Sequence, residues 1–108
     1  MNGEWSPKQK ALNRRRLAYL RLIRTLVPKV PGSDADVENW LSTASTPEEI
    51  AIAGAAFAKR KLEVNIARSI RTGNVGVAAR RLDKVYGVLL GSKACDKETL
   101  DTVEKDTA

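Results

Sequence analysis

Apolar residues along this chain recur at spacings of three and four, and no stretch shows the strict alternation of a half-buried strand. The pattern predicts a first helix over about 7–27. Leu12, Tyr19, Leu22, Ile23 and Leu26 share one side, with Lys10, Arg14, Arg21 and Arg24 on the other. Leu17 falls within the basic side. Arg15 and Arg16 point toward the apolar side, where their stems can lie on a core rim while the heads reach water. Ser6-Pro7-Lys8-Gln9 opens this helix with a cap, a proline at the first helical position and a capping-box glutamine, and Trp5 stands at the staple position. Pro28 stops it, and Pro31-Gly32 reads as a turn.

A short second helix follows over 33–44, carrying Val37, Trp40 and Leu41. The longest element spans about 46–72. Thr46, Pro47 and Glu49 form a second capping box, Glu48 and Glu49 suit the positive end of the helix dipole, and Gly73 supplies a left-handed stop. On an ideal helix Ile50, Ala53, Phe57, Val64 and Ala67 share one side, while Ile52, Ala55, Ile66 and Ile70 lie nearly opposite. A helix that is apolar on two sides belongs between partners. Its first half is almost all small residues, which allow close helix approach within the chain or across a homodimer. Asn74 reads as the cap of a helix over 75–90, ended by Gly91, and Asp96 as the cap of a last amphipathic helix around Leu100 and Val103. The expected fold is all-α: a small orthogonal or mixed bundle of four to five helices around the long central one. It forms a single domain over 1–108, with loose ends at 1–5 and about 104–108.

Composition narrows the chemistry. The 108 residues contain no histidine and one cysteine, which excludes an intramolecular disulfide and a Cys/His zinc site. Cys95 reads as a small residue near a helix start. No signal-type apolar run and no segment of membrane-spanning length is present, so the expected setting is cytoplasmic and reducing. Enzyme constellations are missing: no general-base histidine, no P-loop and no G-x-S-x-G. The acids Asp34, Asp36, Glu38, Glu48 and Glu49 sit at helix starts, where they are stabilising, and no metal or other cofactor is expected.

Charge is the most informative feature. The net charge is +6, and residues 8–29 hold eight Lys or Arg and no acid. A helix stabilised only for itself would gain from acids four residues from those bases. Lys59-Arg60-Lys61 interrupts the apolar pattern of the central helix. Arg68 and Arg71 precede the Gly73-Asn74 turn, and Arg80, Arg81 and Lys84 follow it. Unpaired amides at the start of a helix attract anions, and arginine forks suit phosphate or carboxylate. The same charges also suit a solvated face, and Arg68 and Arg71 a helix C-terminus.

The segment GNVGVAARRL, residues 73–82, resembles the first helix of the helix-turn-helix in Fis-type DNA-binding domains. The resemblance covers about ten residues. It implies a tight turn near Asp83 and a recognition helix from Lys84, with the preceding arginines on phosphate. In this chain Asp83 stands where that family has its turn glycine, and Lys84-Val85-Tyr86 continues a helical pattern.

The leading expectation is a non-enzymatic nucleic-acid binder, regulatory or architectural. The candidate contacts are Lys10, Arg14, Arg15, Arg21, Arg24, Lys59, Arg60, Lys61, Arg68, Arg71, Asn74, Arg80, Arg81 and Lys84. The alternative is a protein-interaction module whose basic face meets an acidic protein surface. Binding of the first helix to a membrane surface ranks third.

Overall fold

The computed structural model describes residues 4–26 and 34–107. All regular structure among them is helical, in five helices packed as a small bundle: α1 (Pro7–Arg24), α2 (Asp34–Thr43), α3 (47–71), α4 (Val75–Gly91) and α5 (Lys97–Thr107). The helix stop at Pro28, the Pro31-Gly32 turn and the terminal residues 1–3 and 108 lie outside the described residues.

Local chemistry sets most helix ends. The Gln9 amide donates to Ser6 Oγ at 3.2 Å, and the Ser6 amide returns a bond to Gln9 Oε1 at 2.8 Å. Thr46 and Glu49 repeat the box at 3.1 and 3.3 Å. Gly73 takes φ +80°, the left-handed residue that the end of α3 requires. Asp96 Oδ1 accepts from the Thr99 amide at 2.8 Å, which holds the carboxyl of Asp96 below its ordinary range.

Three ends differ from expectation. Helix α1 finishes at Arg24, so Leu26 leaves the apolar register and is exposed. The Asn74 side chain makes no capping bond; backbone bonds from Gly73 and Asn74 to Ile70 and Ser69 close the turn instead. After α4 the left-handed residue is Lys93 (φ 60°), two positions beyond Gly91. Helix α4 also runs unbroken through Asp83, so the turn implied by the helix-turn-helix resemblance does not form.

Helix α3 is not one uniform α-helix. Leu62–Ile66 forms a π turn between Pro47–Lys61 and Ala67–Arg71. The reason lies in the core stripe Ala58, Leu62, Ile66 and Ile70, all fully buried and spaced by four. Each step of four advances about 40° past a full α turn, so three steps would drift by about 120°. One π turn accommodates an extra residue and cancels most of that drift. The helix does sit between partners, with Ala53 and Phe57 of one expected side and Ala55, Ile66 and Ile70 of the other all buried, but its first turn departs from the pattern. Ile50 and Ile52 are exposed.

That stripe meets Tyr19, Leu20 and Ile23 of α1, Leu82, Val85 and Leu89 of α4, and Leu100 of α5. Trp5, expected in a loose lead-in, packs against the same core. A second cluster joins Val37 of α2 to Ala55, Ala56 and Phe57, with Trp40 half-buried beside it. The small residues of α3 are thus consumed within the chain. Gly54 shows how closely: a Cβ there would lie 2.1 Å from Ser92 Oγ and 2.4 Å from Ser92 Cβ.

Gly54→Ala should therefore destabilise the fold by about 1–3 kcal/mol, as overpacking does. Denaturant melts should show the loss, and Ser92→Gly in the same chain should restore much of it. A neutral Gly54→Ala variant would refute this account of the α3–α4 approach.

Candidate nucleic-acid interface

The outward side of α1 carries the simplest cationic array. Lys10, Arg14 and Arg21 are exposed, with Leu17 between them. No carboxylate among the described residues lies within ion-pair distance of these three. Eleven residues separate Lys10 from Arg21, about 16 Å along the helix axis. Arg24, at the end of the array, reaches Glu63 at 4.0 Å.

Arg15 and Arg16 turn inward, and their heads do not simply reach water. Arg15 donates to Glu104 Oε1 through Nε at 3.0 Å and through Nη2 at 2.7 Å, and Nη2 also reaches Asp83 at 2.9 Å. Burial opposes its charge, but the hydrogen bonds it donates to Glu104 and Asp83 outweigh burial and hold its pKa above the ordinary value. The buried Tyr19 hydroxyl donates to the same Glu104 oxygen. Residues 104–107, expected to be loose, are helical, and Glu104 is held by Arg15 and Tyr19 from α1. Arg16 donates to Asn13 Oδ1 at 2.9 Å and to the Leu62 carbonyl in the π turn at 3.2 Å. Burial, with Arg24 nearby, lowers its pKa.

The basic run of α3 is dispersed among neighbours. Lys59 pairs with Glu63 at 3.4 Å, and Lys61 approaches Glu38 of α2 at 3.8 Å. Arg60 is also engaged. Arg68 and Arg71 are exposed near the Gly73 turn. Gln9 Nε2 donates to the Ile70 carbonyl at 2.7 Å and so binds the first turn of α1 to this end of α3. Arg68, Arg71 and Lys10 therefore belong to the same end of the molecule. Asn74 and Arg80 are exposed at the start of α4.

Arg81 and Lys84 turn the other way, toward α3. Arg81 Nη1 donates to Ser69 Oγ at 2.9 Å and to the Asn65 carbonyl at 3.4 Å. Lys84 Nζ lies 5.8 Å from the centre of the Phe57 ring, and Lys61 Nζ lies 5.3 Å from it. Phe57, Lys61, Asn65, Arg81, Lys84 and Val85 line a cleft of about 230 Å³. Sequence reasoning named its three cations but missed Phe57 and Asn65. The signal was the i, i+4, i+8 spacing of Phe57, Lys61 and Asn65, which places the three on one broad helix face.

No group of three or more His, Cys, Asp or Glu among the described residues could hold a metal ion, and no helix among them is long and apolar enough to cross a membrane. The buried Cys95 thiol is raised by burial and by Asp96, which works against nucleophilic use.

The Arg15–Glu104–Tyr19 cluster makes a testable claim. Glu104→Ala leaves a largely buried guanidinium short of its main partner and should lower stability by about 2–3 kcal/mol, against less than about 0.5 for exposed Arg14→Ala. Burial, then Glu104, raises the Tyr19 pKa above its ordinary value. The folded state then holds this proton more tightly than the unfolded chain does. Its stabilisation is complete below about pH 10 and is lost as pH rises through the higher folded-state value. Tyr19→Phe should show a flatter alkaline fall in Tm than the parent; identical slopes would remove Tyr19 from the linkage. Comparison with protein-family models, curated protein sequences and solved structures finds no match to this chain.

Proposed function

We propose that the protein is a non-enzymatic nucleic-acid binder, regulatory or architectural, that uses the outward side of α1. The observation that carries this reading is the stripe of Lys10, Arg14 and Arg21, exposed along one helix side with no acidic partner within ion-pair distance among the described residues. A helix bearing unneutralised cations over about 16 Å suits a row of phosphates. Arg68 and Arg71 extend the array from the end of α3. The contacts are to backbone phosphate and carry little sequence preference, because lysine and arginine on one exposed helix side position a protein without reading bases. The setting that goes with this reading is cytoplasmic, where an unpaired thiol such as Cys95 persists.

A second reading is favoured by Leu17, which is 41% exposed within the basic stripe. An acidic protein surface with an apolar centre would match that arrangement. A protein partner recovered in a pull-down after nuclease treatment, and no longer recovered with Leu17→Asp, would support it.

Fluorescence titration of labelled duplex and single-stranded DNA separates the two readings. Affinity should fall linearly with the logarithm of salt concentration. Arg14→Glu with Arg21→Glu should weaken binding for any sequence and reduce the salt slope by about 2, the value for two phosphates no longer neutralised. Absence of binding at low salt would end the nucleic-acid reading.

A further inference from the structure

We propose that the cleft between α3 and α4 is a binding site for a small hydroxylated phosphate monoester, such as a sugar or polyol phosphate. This site is separate from the α1 stripe and does not depend on nucleic-acid binding.

Charge is the first support. Lys61, Arg81 and Lys84 line the cleft, and no carboxylate does. Glu38 approaches Lys61 at 3.8 Å and offsets one of the three charges in part. What remains is close to two positive charges, which matches a phosphate monoester near neutral pH. Two ammonium groups within range of one Phe57 ring, with a guanidinium on the same cleft, repel one another when no anion is between them. Such an arrangement lowers stability unless a ligand neutralises it.

Hydrogen-bonding capacity is the second. Arg81 is anchored through Nη1, to Ser69 and Asn65, so its direction is set, and no hydrogen bond among the described residues takes Nε or Nη2, the pair suited to a bidentate contact. Asn65 Oδ1 is buried and has no hydrogen-bond partner. A buried acceptor left unpaired is unfavourable, and a turn of the Asn65 side chain, which lines the cleft, would bring it to a hydroxyl on the ligand. A bare phosphate ion at neutral pH is a poorer match, since it offers this acceptor fewer donors.

Shape is the third. The Phe57 ring is almost wholly buried, so it forms a floor for the cleft and does not offer a stacking face to a base. At about 230 Å³ the cleft is smaller than the roughly 300–1,000 Å³ of drug-sized pockets. It has room for a phosphate with a short polyol and leaves a nucleobase outside. The wall that carries Lys61 and Asn65 runs into the π turn, a distortion that recurs at functional sites.

Calorimetric titration of the full chain with ribose 5-phosphate, glycerol 3-phosphate and inorganic phosphate tests the site. One equivalent of a sugar or polyol phosphate should bind saturably and at least fivefold tighter than inorganic phosphate. Lys84→Gln removes one of the three repelling charges and should weaken binding tenfold or more, with the Tm of the ligand-free chain held or raised. Asn65→Leu should bring the polyol phosphates down to the affinity of inorganic phosphate. Arg14→Gln, on the α1 stripe, should leave all three affinities as they were. The proposal is overturned by no saturable heat at 10-millimolar-scale ligand, or by equal losses in Lys84→Gln and Arg14→Gln, which would mark diffuse charge attraction only.

Discussion

Four fully buried side chains at uniform spacing, Ala58, Leu62, Ile66 and Ile70, have to face one core along a helix whose natural repeat is 3.6 residues. The π turn at Leu62–Ile66 reconciles the two periods. Widening a turn disturbs its backbone pairing, and two arginines from different helices meet the carbonyls of this segment. Arg16 of α1 donates to Leu62, and Arg81 of α4 donates to Asn65. The distortion that straightens the core stripe thereby ties α1 and α4 to α3.

The cations of this chain are consequently of two kinds. Arg15, Arg16 and Arg81 hold elements together through Glu104, Asp83, Asn13, Ser69 and backbone carbonyls. Lys59 and Arg24 share Glu63. Lys10, Arg14 and Arg21 have no such commitment among the described residues, and their positive field reaches solvent undiminished except by salt. A net charge of +6 overstates the number of cations free for a partner, because several acids and bases are already matched inside the fold. The surplus is concentrated on α1, at the Gly73 end of α3 and in the cleft lined by Lys61, Arg81 and Lys84.

The same division explains which parts of the candidate site are legible in the sequence. Helical periodicity identifies Arg14 and Arg21 as outward-facing, since both lie on one regular α-helix whose capping box sets its register. It cannot foresee that Arg15 is taken up by Glu104, a residue 89 positions later in the chain. The acidic tail looks suited to fraying because its own helix is short and polar. Its order comes from contacts with α1 that no local pattern encodes. For the cleft, the cations are visible, but Phe57 and Asn65 are not, because neither carries a charge to mark it and the cleft forms only where α4 meets α3.

What the amino-acid sequence determined alone was the all-α class, the two capping boxes, the glycine stop at residue 73 and the Asp96 cap. Each depends on hydrogen bonds or φ preferences within about four residues, so each is written locally. The Asn74 cap was of the same local kind, yet backbone bonds to Ser69 and Ile70 replaced it. Tertiary packing decided the π turn, the burial of the small residues of α3 against Ser92 and the second cluster, the order of the last helix and the partition of the arginines. Those features require side chains far apart in sequence to compete for the same space and the same charge, and that competition is settled only when the helices meet.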